Sequence, residues 1–393
     1  MAEVRHEAPA RSWSRVDGID LLRGLAIFFV LMNHVNMQLL FAHVPYTHGL
    51  PKQLVATLVW NGQQGVQIFF AVSGFLITTT SLRRWKSLVQ VSVADFYRLR
   101  FARIAPLLIG LLVVLSVLHL AHVQHFVVKP ETGGLGRALV AALTFHVNLL
   151  EARRGYLPGS WDILWSLSVE ETFYFAFPWV CRWLGRGRLM IALLLVFVVL
   201  GPFGRSVLTH GNPVWREYSY LGGMDAIAMG CLTAIALNGR KLSRAWLWWL
   251  GGTGGALLLF CLLLSRTAEA WLPERTGLYM SAIGVGTSKL IAVAAQTGWQ
   301  SPWVLTPLLL PGQRSYEIYL THMFVVVALA AAFAATGHAM WAVPVFFIAA
   351  IVISGLLGEL VGRFYSEPTN RRLRARWHDG AREMGSVVVA AAG

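Results

Sequence analysis

Charged side chains are scarce in this sequence: Asp, Glu, Lys and Arg make up 13% of its 393 residues. A soluble globular domain carries about 25%, so much of this chain needs no water-facing side. Cysteine is nearly missing too. Cys181, Cys231 and Cys261 are widely spaced, in or beside apolar stretches. That spacing excludes a disulfide framework and a cysteine metal site, and leaves them as small buried side chains. No internal repeat is visible, which counts against an inverted-repeat transporter. Long polar insertions are absent, so one membrane domain is expected to fill residues 19–366. The start lacks the pattern of a cleavable signal: 1–18 are polar and mixed in charge, the next run contains Arg23, and no small-residue cleavage site follows. That first run is expected to be a retained transmembrane helix.

Hydrophobic residues, by contrast, make up 56%. Apolar runs recur at 19–40, 64–82, 101–120, 137–150, 164–181, 189–204, 217–238, 246–264, 277–298, 315–335 and 341–364. Runs of this length span a bilayer as helices. The expected fold class is all-α, a polytopic transmembrane bundle of about ten membrane-spanning helices. The formal net charge is +14. In a soluble protein it would suggest nucleic acid, but no aromatic-basic nucleic-acid module is present. The basic residues instead sit in short loops between apolar runs, as cytoplasmic loops do. Arg83, Arg84, Lys86, Arg98, Arg100 and Arg103 mark one such loop; Arg182, Arg186 and Arg188 mark another; Arg240, Lys241 and Arg244 a third. The first two share a side only if an even number of crossings separates them. Three apolar runs lie between, so 137–150, the shortest, is expected to be a partial crossing. Ten crossings place both termini in the cytoplasm of a multi-pass inner (plasma) membrane protein. A polar segment 1–18 precedes the domain, and a basic, poorly ordered tail 367–393 follows it.

Ionisable residues within the spans cost about 2.5–3.5 kcal/mol each at mid-membrane, so a chain keeps them for pairing or function. They are Arg23, His34, Glu170, Glu171, Asp225, Lys289, Glu317, His322 and Glu359. Arg23 and His34 are eleven residues apart, about three turns and about 16 Å along one helix face. A cation at the membrane surface and an imidazole at depth suit a long ligand with an anionic head and a reactive far end. A snorkelling arginine and a helix-bonding histidine are the alternative. Ser73-Gly74 in an apolar helix favours close helix approach. Arg98, Arg100 and Arg103 enter a span at headgroup depth, as phosphate forks or as a lipid anchor. Around Trp165, Ser166, Glu170 and Tyr174 fall on one stripe, with Glu171 about 100° away. Either carboxylate can pair with an arginine, orient an imidazole or accept sugar hydroxyls. Asp225 lies in a small-residue helix, and Ser315, Tyr319 and His322 share a face of a later one, beside Tyr316.

Taken in order, these stretches resemble the acyltransferase 3 family, membrane acyltransferases that O-acylate bacterial glycans and some antibiotics. The shared features are Arg23-x10-His34, Phe69-Phe70-x-x-Ser73-Gly74-Phe75, Phe96-Tyr97-x-x-Arg100-x-x-Arg103-Ile104-x-Pro106, the run from Trp165 to Tyr174, Asp225-x4-Gly230, and Ser315-Tyr316-x-x-Tyr319-x-x-His322. They cover roughly 18–368. The resemblance implies an integral membrane O-acyltransferase that moves an acyl group, by family habit acetyl, from acetyl-CoA or another acyl-CoA, with no metal. Its acceptor would be a hydroxyl of a glycan, a lipid-linked sugar or a glycosylated small molecule. Relatives that carry an appended hydrolase-like domain extend further, so a stand-alone transferase is expected here. In the mechanism expected on that basis, Arg23, Arg98, Arg100 and Arg103 hold the phosphates. His34, whose imidazole has an unperturbed pKa of about 6.5, serves as general base or transient acyl carrier. Glu170 or Glu171 orients the imidazole or the sugar, and Ser73, Tyr316 or Tyr319 stabilises the oxyanion. The competing classes are a transporter or flippase of a lipid or glycan, whose polar residues line a path, and a purely structural membrane partner.

Overall fold

The computed structural model describes residues 16–185, 187–272 and 276–377, all of it helices and connecting turns. The long helices are α1 (Asp17–Phe41), α2 (Gly62–Trp85), α3 (Val93–Leu120), α4 (Leu164–Leu184), α5 (Arg188–Arg205), α6 (Tyr220–Leu237), α7 (Arg244–Leu263), α8 (Leu278–Thr297), α9 (Ser315–Ala335) and α10 (Ala342–Val361). Nine of these are long and apolar enough to cross a membrane. The exception, α4, has the length but carries Glu170, Glu171 and Arg182. Its carboxylates face inward on an arginine rather than outward, so it completes a bundle of ten.

The stretch 137–150 is not one helix. It breaks at Thr144–His146 between two short helices, Gly134–Leu143 and Val147–Arg154, and Phe145 takes a left-handed φ of 56°. Only α3 and α4 then separate the first two basic loops, the even number that the charge pattern requires. Past α10 the chain stays helical through a π-turn at Gly362–Ser366 to Trp377, and Asn370 and Arg374 reach the arginine-rich end of the bundle. Residues 1–15 and 378–393, and with them most of the two expected terminal segments, lie outside the described residues, as does Arg186.

Glycine decides how closely the central helices pack. A Cβ on Gly74 would lie 1.9 Å from the Ile227 carbonyl oxygen of α6, and one on Gly230 would lie 2.0 Å from the Ala71 carbonyl oxygen of α2. The two backbones therefore touch reciprocally, the small-residue packing that lipid-embedded helices use in place of a hydrophobic driving force. A second reciprocal pair fixes the short helix Thr306–Gln313 against α1. There Cβ atoms on Gly24 and Gly312 would each fall 1.8 Å from a carbonyl oxygen, of Leu308 and Asp20 respectively. This clamp sets the start of α9 beside Arg23. The apolar side chains of α3, α7 and α10, such as Val117, Trp248 and Ile348, point outward, the surface a bilayer would cover.

Candidate active site

A cavity of about 710 Å³ opens at the end of the bundle where α1 begins, α2 ends, and α3 and α9 begin. Arg23, Arg84, Arg103 and Arg374 line its mouth. Arg23 is held in place by two bonds, Nε to Ser315 Oγ at 3.0 Å and Nη1 to Asp20 Oδ1 at 3.2 Å. Arg84 lies 5.7 Å from the centre of the Trp85 ring. Arg103 has no ion pair among the described residues, and it sits with Arg84 within electrostatic reach of Arg374. Three guanidinium groups brought together without a full complement of carboxylates make a ready anion site. Arg98 is not part of it. It pairs with Asp95 at 3.5 Å on the surface, its side chain about half exposed (49%), because it leaves α3 on a different side from Arg100 and Arg103.

Deeper in the cavity lies the carboxylate cluster. Arg100 donates to Glu171 Oε1 through Nε at 2.9 Å and Nη2 at 2.6 Å, and reaches Glu170 Oε1 at 3.3 Å. Its guanidinium also stacks 3.8 Å from the centre of the Tyr174 ring. Ser73 donates to Glu170 and contacts the Tyr174 hydroxyl. Glu170 and Glu171 thus both face Arg100, and Ser73 gives its proton to Glu170. Tyr316 donates to the Ile104 carbonyl at 2.9 Å and Tyr319 to that of Ile163 at 2.9 Å. Tyr319 also meets Ser166 at 2.6 Å.

His34 faces α9, as Arg23 does, and meets His322 with Nδ1 3.3 Å from its Nε2. The pair lies level with the first turn of α2, where Gly62 abuts Asn33, about two-thirds of the way along α1. The tautomers follow from the partners. His322 Nδ1 faces only carbonyl oxygens, Tyr319 at 2.7 Å and Ile318 at 3.2 Å, so it carries the proton and Nε2 is the acceptor. His34 Nδ1 then donates, to Val30 O at 2.8 Å and to His322. What remains is His34 Nε2, a lone pair with no partner among the described residues, on a half-buried ring. The cavity stops short of it. Its wall ends at Phe69 and Tyr319, whose rings are 6.2 Å apart, and Tyr319 in turn abuts His322.

The remaining candidates are placed elsewhere. Asp225 is fully buried and receives both Nη atoms of Arg205, at 3.0 and 2.7 Å, with Gln67 at 3.0 Å and Ser281 at 2.6 Å completing the shell. It joins α2, α5, α6 and α8 and is far from the arginine mouth. Trp165 stacks on Tyr218, ring centres 4.2 Å apart. Lys289 reaches Thr253, and Glu359 pairs with Arg314. Sequence reading passed over Arg205, Arg374, the buried carboxyl Glu151 and the partly buried Asp162. Arg205 is the last residue of an apolar run and reads as a loop charge. Arg374 sits in a basic tail whose return to the bundle no local pattern signals. Glu151 and Asp162 lie outside the long apolar runs. Burial, and for Glu151 also the nearby Asp162, pushes both carboxyls above the ordinary range. Among the described residues, no group of three or more His, Cys, Asp or Glu comes together to hold a metal.

A family profile described as an acyltransferase domain matches residues 16–359. The chain is 23% identical over 372 residues to O-acetyltransferase OatA of Staphylococcus aureus (strain NCTC 8325 / PS 47), covering 90% of this chain and 57% of that protein. It is 25% identical over 382 residues to peptidoglycan O-acetyltransferase OatA of Listeria monocytogenes serovar 1/2a, covering 91% and 56%. It thus spans little more than half the length of these curated relatives. No solved structure matches it significantly.

Proposed function

The chain belongs to the acyltransferase 3 family, and from that membership we propose that it moves an acyl group, acetyl by analogy with its relatives, from an acyl-CoA to a glycan hydroxyl. The observation that carries this reading is the shared orientation of Arg23 and His34. Both project onto α9, at Ser315 and His322, so an anion site and an unprotonated imidazole nitrogen lie on one line. Their separation of about 16 Å along the helix is of the order of an extended pantetheine arm.

The donor's phosphates sit among Arg23, Arg84, Arg103 and Arg374. The basic loops, all at this end, make it the cytoplasmic one. The arm runs along the cavity toward Phe69 and Tyr319, and the thioester passes between them to His34. There His34 Nε2 takes the proton of the acceptor hydroxyl as its oxygen attacks the thioester carbonyl. An ester forms, the carbon–sulfur bond breaks, and the imidazolium returns its proton to the CoA sulfur. His322 keeps Nε2 the basic nitrogen and accepts from Nδ1–H while the ring is charged. A transport path would need no such fixed tautomer.

Replacing Arg23 by Lys keeps the charge but loses the fork and the bond geometry to Ser315. The expected result is a donor affinity about ten-fold weaker, read by titrating CoA into the purified protein, with kcat at saturating donor little changed. An unaltered affinity removes Arg23 from the donor site.

A further inference from the structure

Lys289 lies within α8 and takes no part in the site described above. Its side chain is half-buried. Nζ donates to Thr253 Oγ1 at 3.2 Å and lies 4.8 Å from the centre of the Trp249 ring. Among the described residues it meets no carboxylate, whereas Arg23, Arg100, Arg205 and Arg314 each do. The sequence gives the reason: no Asp or Glu occurs in 226–268 or in 275–316. The end of α6, its loop to α7, α7 and α8 therefore supply no counter-charge. An ammonium held in a span without one is costly, and an anion from outside the chain would offset that cost.

The lysine emerges where α7 and α8 meet at glycine. A Cβ on Gly254 would lie 2.8 Å from Lys289 Cβ and 3.1 Å from the Gly286 carbonyl oxygen. From that contact the stem runs back along α7 to Trp249, toward the helix start. Trp249 and Thr253 lie about 8 and about 14 Å along α7 from Arg244. The headgroup layer of a bilayer is about 5–7 Å thick, so the ammonium sits at its inner edge. Deeper in, Gly252 and Ala256 continue the face of Trp249 and Thr253 at helical spacing. Both are exposed, and a Cβ on Gly252 would meet nothing within 4 Å, which leaves a shallow lane for an acyl chain. Gln296, seven residues after Lys289 and on the same face of α8, donates to the Arg240 carbonyl at 2.9 Å and accepts from the Leu242 N–H at 3.4 Å. These bonds fasten the loop of Arg240, Lys241 and Arg244, all exposed, at the mouth of the same groove. Trp246 and Trp249, with ring centres 5.6 Å apart and both more than half exposed, stand beside it, as interfacial aromatics do.

We propose that this groove between α7 and α8 binds an anionic phospholipid. Lys289 meets the phosphate, Arg240, Lys241 and Arg244 surround the headgroup, and an acyl chain lies over Gly252 and Ala256. Charge complementarity selects the occupant. A choline lipid brings its own cation to four cations with no acid among them, whereas phosphatidylglycerol brings only negative charge. Basic loops alone attract anionic lipid to the surface; Lys289, one to two turns deeper, makes a site of it. The assignment is independent of acyl transfer.

The test reconstitutes the full-length protein in phosphatidylcholine liposomes with a trace of phosphatidylglycerol that carries a diazirine in its acyl chain. Photolabelled peptides are read by mass spectrometry, with α10 peptides as the internal reference. Labelling of α7, relative to α10, is expected to fall when unlabelled phosphatidylglycerol is added and to stay level with added phosphatidylcholine. Lys289→Gln is expected to lower it about five-fold, the equivalent of about 1 kcal/mol for one cation near an anionic surface. Lys289→Arg is expected to preserve it. Lys289→Gln removes a charge that the span holds at a cost, so it does not endanger the fold. The assignment is overturned if the two lipids compete equally, if Lys289→Gln is labelled like the parent, or if Lys289→Arg is labelled as weakly as Lys289→Gln.

Discussion

His34→Ala is expected to lower acyl transfer by two to four orders of magnitude while leaving CoA affinity unchanged. The reasoning starts from the tautomer. Two backbone carbonyls place the proton on His322 Nδ1, so its Nε2 accepts, His34 Nδ1 donates, and His34 Nε2 is left basic. A positioned base contributes roughly 10²–10⁴ in rate, and on the proposed reading none of it is spent on binding the donor, whose phosphates would lie about three turns away. His322→Ala has a smaller expected effect, because the Val30 carbonyl still holds the His34 tautomer at 2.8 Å. The check is a paired measurement on variants present at parental level in membranes: the rate of labelled acetyl incorporation, and CoA binding. Parental rates for His34→Ala remove the base assignment. A larger loss for His322→Ala than for His34→Ala reverses the roles of the two rings.

Asp225→Ala has the largest expected effect on folding. Arg205 would keep its charge in a fully enclosed site and retain only the carbonyls of Gly222 and Gly277 and the Ser281 hydroxyl. Breaking one partner of a buried ion pair costs about 3–5 kcal/mol, whereas replacing both partners by apolar side chains of similar volume often costs little. The pair also joins four helices. Asp225→Ala should therefore lose most of its monodisperse, heat-resistant fraction on size exclusion, and the double variant Arg205→Met/Asp225→Leu should recover part of it. A heat-stable Asp225→Ala protein means that the pair contributes little to the fold.

The membrane fold was legible in the sequence because hydropathy alone dictates it: ten of the eleven apolar runs are single helices, within a few residues of their expected ends apart from the start of α3. Charge parity identified the one that is not, since 137–150 breaks at Phe145. The alignment of Arg23 with His34 was legible from helical period. Partners were not. Glu170 and Glu171 are bound to Arg100, seventy residues earlier, and nothing in either stretch distinguishes that arginine from Arg98, which faces solvent with Asp95. Asp225 shows no partner in its own stretch, and only the fold sets Arg205 against it. The histidine pair joins helices 288 residues apart, a contact set by the glycine clamp at Gly24 and Gly312 rather than by any local pattern.

The most direct measurement is a structure of the full chain with CoA bound in lipid nanodiscs. The account predicts phosphates between Arg23, Arg84 and Arg103 and a pantetheine arm lying along α1 and α9. It also predicts a displaced Phe69 or Tyr319 ring, with the sulfur in contact with His34 Nε2. Phosphates bound away from those arginines, or a sulfur that ends on the far side of α1 from His322, would contradict it.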